Sequence, residues 1–296
     1  MNTPKLVFVS FADSRMSAAI TRIRKQAEEM GIFDEIHVWD EHDLDVSFRE
    51  KWTHILKPDV RGYGYWIWKP YTIHKILSNL PEESILIYCD AGCHLNPQGI
   101  EKLHFYINEL HKTPLGVKAF NSYFSLLEVI EKRWTKGDVF DYFDCRNNKS
   151  ITDTLQLAAG HVLYRKCASA LKFLETWIRV WEDNITLLDD SPSKSPNFPE
   201  FIEGRHDQSV FSVLYKLSGG TALPATETIP LGDMDKTQHP ILAVRDRGYK
   251  DKRLLSRIKR YIKTKLFMRK VKRQIKLQEL NQCDFANKAQ TEKEKA

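Results

Sequence analysis

Hydrophobic residues in this chain gather first in short unbroken runs. Ile85-Leu86-Ile87-Tyr88 passes without a polar break into Cys89-Asp90-Ala91-Gly92, which predicts a strand covered on both faces and closed by a tight turn. Leu6-Val7-Phe8-Val9 predicts a similar strand over Lys5 to Phe11. A polar turn, Ala12-Asp13-Ser14-Arg15, then leads into a helix from about Met16 to Met30, stopped by Gly31, and a strand from Glu35 to Asp40. Strand, helix and strand in so short a span make a βαβ unit, and therefore a parallel sheet.

Further along, the pattern predicts helices over Tyr71–Leu80, Pro97 to about His111 and Leu126–Trp134, with a strand at Leu115–Phe120. Thr154–Gly160 precedes an apolar strand, His161–Arg165. The helix from Cys167 to about Asn184 places Leu171, Leu174, Trp177, Ile178 and Trp181 at core spacing. Asp189–Pro199, rich in Pro and Ser, predicts a loop. A helix over Val210–Leu217 follows, with Asp207 or Ser209 available as its N-cap. The resulting class is α/β, with a mostly parallel central sheet flanked by helices.

Charge changes this picture at one end only. The net charge is +6, but Arg245–Lys276 holds fifteen Lys/Arg against two Asp, a local +13 that leaves the body at −7. From Arg253 onward Leu254, Ile258, Tyr261, Ile262, Leu266 and Phe267 recur at helical spacing among lysines and arginines. That is the composition of an amphipathic helix lying on an anionic membrane surface. Residues 251–296 are accordingly read as a basic tail, with residues 1–250 as the folded domain. The five cysteines form no CxxC pair, so neither a zinc ribbon nor a disulfide framework is indicated. No apolar run reaches transmembrane length. A cytoplasmic protein, peripheral at the inner face of the cell membrane, is the expectation.

Candidate chemistry sits at the predicted strand ends, where open α/β sheets collect ligands. Asp90 is the first candidate; the same residue would also serve as a simple turn cap. The loop Ser10 to Arg15 is the second. No GxGxxG or GxxxxGK is present, which removes a dinucleotide fingerprint or a P-loop. Arg61-Gly62-Tyr63-Gly64-Tyr65-Trp66-Ile67-Trp68-Lys69-Pro70 places aromatic rings beside a cation at a helix entrance. Such a group suits a stacked sugar or base with phosphate near Lys69, or else an aromatic core plug with Lys69 at its solvated flank.

Gly64–Pro70, Tyr88–Gly92, Ala159-Gly160-His161 and His206-Asp207-Gln208, in that order, resemble a nucleotide-sugar glycosyltransferase of the GT-A type, of the kind that builds bacterial lipopolysaccharide or capsule. The resemblance covers roughly residues 5 to 250 and implies a Rossmann-like, GT-A-like fold, with a donor part to about residue 150 and an acceptor part beyond it. It implies Mn²⁺ or Mg²⁺ held by an Asp-x-Asp motif; Asp90 matches the first position, and Gly92 departs from the second. His239 and then His206 are the candidates to complete the metal site. Donor contacts would come from Ser10, Asp13, Arg15, Trp66, Trp68, Lys69, Asp90, Ala91, Gly92, Gly160 and His161. Asp207 and Gln208 would stand at the anomeric carbon, Asp207 as general base for inversion or Gln208 supporting retention.

The implied activity is transfer of a hexose from a nucleotide diphosphate donor, UDP-linked, to a surface glycan or lipid-linked acceptor. Two other classes stay open. One is a non-catalytic module binding glycan, membrane or RNA, although the tail has few interleaved aromatics for nucleic acid. The other is a glycoside hydrolase using Asp90 and Asp207 as its two carboxylates.

Overall fold

The computed structural model describes residues 3–122, 129–229 and 238–248, all within one unit. The predicted basic tail lies outside the described residues.

Five strands form the main sheet in the order β2-β1-β3-β6-β5. They are β1 (Leu6–Phe11), β2 (Glu35–Trp39), β3 (Ile85–Cys89), β5 (Val117–Asn121) and β6 (Leu157–Arg165). β1 pairs in parallel with both β2 and β3, while β6 runs antiparallel to β3 and to β5. The mostly parallel, Rossmann-like sheet that the GT-A resemblance implies is therefore the one observed. β6 starts four residues before the predicted His161, at Leu157, and its two neighbours come from the first half of the chain. A small two-stranded ribbon joins β4 (His94–Leu95) to β7 (Ile241–Leu242).

The apolar runs behave as fully covered strands should, since side chains alternate between two cores. Val7, Val9, Leu86 and Tyr88 face one core, which also holds Trp177, Trp181, Phe211 and Tyr215. Phe8, Ile87 and Cys89 face the other, closed by Ala19, Ile23, Leu103 and Tyr106. Helices on the second face are α1 (Ser17–Met30), ended by Gly31 at φ 63°, and, further along the chain, Ile100–His111. On the first face are Trp68–Asn79, Ala168–Asp183 and Asp207–Leu217. Of the predicted helix Leu126–Trp134, residues 126–128 lie outside the described residues and Glu131–Trp134 forms a single turn.

Two boundaries that differ from expectation shape the site. The helix expected from Tyr71 begins at Trp68 instead, so Lys69 is inside its first turn. It is preceded by an unusual reversal: Gly62, Tyr63, Gly64, Tyr65 and Trp66 all have φ between 52° and 90°. Left-handed backbone costs a non-glycine residue roughly 1–2 kcal/mol, and three of these five are non-glycine. The helix expected from Val210 begins at Asp207, with His206 as its N-cap residue at φ 51°. Asp207 and Ser209 are not the cap: Ser209 Oγ donates to Trp134 O (2.7 Å) and accepts from Arg205 N (2.9 Å).

Candidate active site

The carboxyl end of β3 and the first turns of two helices bring three charged groups together. Lys69 Nζ donates to Asp207 Oδ2 at 2.7 Å and lies 3.2 Å from Asp90 Oδ1. Lys69 is 2 % exposed and Asp207 4 %, whereas the Asp90 side chain is 38 % exposed. Asp90 is thus the open end of a chain of charge that runs into the core. Tyr88, two residues back on the same face of β3, donates its hydroxyl to Asp90 Oδ1 at 2.8 Å, and its ring lies 5.6 Å from Lys69 Nζ. A charge buried in this way persists only when paired and hydrogen-bonded.

The electrostatics follow. Burial pushes the Asp207 carboxyl up, and the neighbouring charge of Asp90 adds to this against the pull of Lys69, leaving it at about 6. For Lys69 burial acts downward, but the charges of Asp207 and Asp90 outweigh it and the ammonium is held above its ordinary value. Burial raises the Tyr88 phenol well above its usual range, with Asp90 adding to the effect. Tyr88 is therefore a fixed hydrogen-bond donor.

Glycine is required beside Asp90. A Cβ on Gly160 would lie 2.6 Å from Asp90 Oδ2, and the Gly160 carbonyl accepts from Asp90 N at 2.7 Å. Gly92 packs against the backbone of Arg245, and its carbonyl accepts from Asp246 N at 2.9 Å. Arg245 takes φ 56° there and feels the Asp90 charge. Asp246 is held in turn by Arg22 (3.1 Å) and His94 (2.9 Å). Where an Asp-x-Asp motif would have a second carboxylate, this chain therefore brings in an arginine-bearing strap.

The other sequence candidates divide. Trp68 is core, 4 % exposed, stacked on Phe11 at 3.9 Å, with Nε1 donating to Gly62 O at 3.0 Å. Trp66 is half-buried and lies 5.4 Å from the His206 ring, which stacks on Tyr65 from the other partner position at 5.6 Å. The expectation of a solvated Lys69 is corrected, because helix extension by one turn carries it into the core. Ser10 is fully buried. Asp13 and Arg15 hold each other through a two-pronged contact, Nε–Oδ1 2.6 Å and Nη2–Oδ2 3.0 Å. Ala91 is buried and gives its carbonyl to Arg22. His161 packs on Phe120 at 5.3 Å on the face opposite Tyr88 and Asp90, since neighbours along a strand alternate.

The expected metal set does not converge. His206 Nδ1 donates to Leu188 O at 2.6 Å and Nε2 lies 3.7 Å from Asp190, while His239 lies beside Glu227, 4.0 Å away. Among the described residues no group of three His, Cys, Asp or Glu side chains is gathered closely enough to hold a metal ion. Asp90 alone remains, with Oδ1 occupied by Tyr88 and Lys69 and Oδ2 available.

The hydrolase reading fails on the same geometry. One ammonium bridges Asp90 and Asp207, so the two carboxylates cannot flank a glycosidic bond. Burial and the Lys69 contact also remove Asp207 from the general-base role. Gln208, half-buried beside it, gives its amide nitrogen to Gln156 Oε1 at 2.7 Å and Ser122 Oγ at 3.2 Å. The sequence carried no signal for Gln156 or Glu131 as partners of the site, because their contacts bridge distant segments; Tyr88 lay within the Tyr88–Gly92 motif, and its bond to Asp90 spans only two residues.

Two cavities neighbour these elements. The larger, about 550 Å³, runs along the edge strand β2 between His37, Trp39 and Lys75 and includes none of the three charged residues. The other, about 370 Å³, is lined by Arg61, Lys136, Asp190, Ser193, Asn197 and Glu203, beside His206 through Asp190.

No family model and no curated protein matches the chain. Solved structures to which it is similar include mouse xyloside xylosyltransferase 1, at 11% identity and TM-score 0.42, covering 81% of this chain and 97% of that one. A glycosyltransferase involved in glycosylation of the major capsid of PBCV-1 is similar at 13% identity and TM-score 0.40, over 76% and 84% of the two chains. The galactosyltransferase LgtC, in complex with donor and acceptor sugar analogs, is similar at 14% identity and TM-score 0.35, over 75% and 74%.

Proposed function

We propose that this chain is a GT-A type glycosyltransferase that moves a hexose from a nucleotide diphosphate donor, UDP-linked, to a glycan or lipid-linked acceptor of the lipopolysaccharide or capsule kind. The observation that carries the reading is the convergence of residues from all four sequence motifs on one point. Lys69, Asp90 with Gly160, and Asp207 with Gln208 meet at the carboxyl end of β3.

In this reading Asp90 is the solvent-facing group at the donor diphosphate. Lys69 fixes its orientation from below, and Arg245 brings positive charge to the same end of the strand. Preorganised charge of this kind is what a departing diphosphate requires. Of a Mn²⁺ or Mg²⁺ site the described residues offer one ligand, Asp90 Oδ2, so an ion would have to be carried in on the diphosphate, whose charge it would help neutralise. The cavity beside Asp190 and Glu203, lined by side chains that give and take hydrogen bonds, is the acceptor side.

The test is release of nucleoside diphosphate from a panel of nucleotide sugars, with Mn²⁺ and with chelator, by wild type and Asp90→Asn. The variant should lose at least about a hundredfold in turnover, the loss typical of removing a preorganised charge. It should keep its fold, because Asp90 is the exposed member of the group. Equal turnover in the variant, or no release from any donor by the wild type, removes the proposal.

A further inference from the structure

We infer that Gln156 is a positioning residue that dictates which end of the Gln208 amide is offered to substrate. The inference rests on the transferase reading for its consequence and on geometry alone for the lock itself.

Gln156 precedes β6 and is fully buried. One end of its amide lies 3.0 Å from Glu131 Oε1, 3.2 Å from Trp134 O and 3.1 Å from Thr135 Oγ1. The first two are a carboxylate and a backbone carbonyl, so neither can donate to that end. Thr135 spends its own hydroxyl proton on Glu131 Oε1 at 2.7 Å. An oxygen at that end would face three acceptors, so it must be the NH₂ group, sharing its two protons among them, and the opposite end of Gln156 is therefore its carbonyl oxygen. The Gln208 atom 2.7 Å from that oxygen must in turn be the amide nitrogen. Amide orientation is ordinarily a choice between two equivalent fits; here the chemistry of the neighbours decides it twice in succession.

Glu131 anchors the chain. It is fully buried, and its other oxygen accepts from Lys216 Nζ at 2.6 Å and from the Ser212 hydroxyl. A negative group buried at one end thus sets the polarity of two amides in series. The outcome is that the NH₂ of Gln208 is held inward and its Oε1 is the end directed away from the network, at the start of the same helix as Asp207. Gln208 meets substrate as a hydrogen-bond acceptor, which selects a hydroxyl-bearing group over a carbonyl or carboxylate. Without the lock the amide turns freely and half of its orientations present a donor instead.

Two readouts test this on the full-length chain. With selectively ¹⁵N-labelled glutamine, the Gln208 side-chain amide of the wild type should give two well-separated, slowly exchanging protons, and in Gln156→Leu these should collapse to the fast-exchanging solvent position. This readout needs no activity, so a missing lock and a wrong transferase reading are told apart. An unprotected Gln208 amide in the wild type overturns the inference. The second readout is a double-mutant cycle on turnover. Gln156→Leu should lower kcat at least tenfold while the dissociation constant for nucleoside diphosphate stays within twofold, and it should add little to the loss already caused by Gln208→Met. The same factor in both backgrounds overturns the inference, because a merely structural role would be felt in each. If Gln156→Leu does not fold, Glu131→Gln combined with Gln156→Glu keeps an acceptor facing Gln208. That pair should restore the protected amide and most of the turnover lost in Glu131→Gln alone; failure of restoration counts against the lock.

Discussion

Lys69 and Asp207 illustrate how much a single buried pair decides. Removing one partner of such a pair leaves an uncompensated charge and typically costs about 3–5 kcal/mol. Lys69→Ala should therefore lower the melting temperature substantially, whereas Lys69→Met, which refills the volume, should leave two carboxylates facing each other and be rescued in part by Asp207→Asn. The pH dependence of stability carries its own sign. Asp207 titrates at about 6 in the folded chain against an ordinary 3.8, so the folded state holds a proton that the unfolded state has released between these values. Its contribution to stability is complete below the lower value and is lost as pH rises through about 6, by on the order of 3 kcal/mol. A melting-temperature series from pH 4 to 7 should slope downward through this window, and Asp207→Asn should flatten it.

At the scale of an element, the reversed turn before the Trp68–Asn79 helix is where strain has been accepted. Its left-handed residues turn the chain so that Trp66 covers Gly62 and Lys69 enters the core. A Cβ on Gly62 would lie 2.3 Å from the Trp66 ring, so Gly62→Ala must displace that ring or undo the turn. A loss of about 1–3 kcal/mol is expected, in the range of overpacking and strained backbone. Turnover should fall with it, because Trp66 neighbours His206 and the helix that carries Asp207. Urea denaturation and steady-state assay of the same sample check both. Tyr63→Gly should lose at least as much, because the relief of its positive φ, about 1–2 kcal/mol, is outweighed by the cavity left by a buried aromatic ring, about 3–5 kcal/mol.

Across the whole molecule, charge is divided between an acidic body and the basic segment that follows it. Each Lys or Arg close to an anionic leaflet is worth about 1 kcal/mol, so the segment carries ample attraction for membrane attachment. Among the described residues no helix is long and apolar enough to cross a membrane. We propose that this segment attaches the chain to anionic membrane; deleting residues 251–296 should then abolish flotation with anionic liposomes and leave nucleoside diphosphate release from donor unchanged. Undiminished flotation would assign the attachment to the body.

The strands and their ends were legible because burial on both faces leaves a local mark. A run such as Ile85–Tyr88 can be little else than a covered strand, and Asp90 at its end follows from where such strands meet ligands. Gly160 was singled out only as a donor contact that the resemblance implies; its close approach to the Asp90 carboxylate comes from the pairing of β6 with β3. What only tertiary structure decided was the setting of the charges. Whether Lys69 is solvated or buried depends on a left-handed turn in which Tyr63, Tyr65 and Trp66 take positive φ values that local propensity disfavours. Whether Asp207 caps a helix or pairs with Lys69 depends on a contact across 138 positions of chain. The histidines looked equivalent to metal ligands in sequence and were separated by packing, His206 onto Tyr65 and Trp66, His239 toward Glu227. Hydrophobic periodicity is written in neighbouring residues, so sequence suffices for it; the protonation and orientation of polar groups are set by partners that only folding brings near.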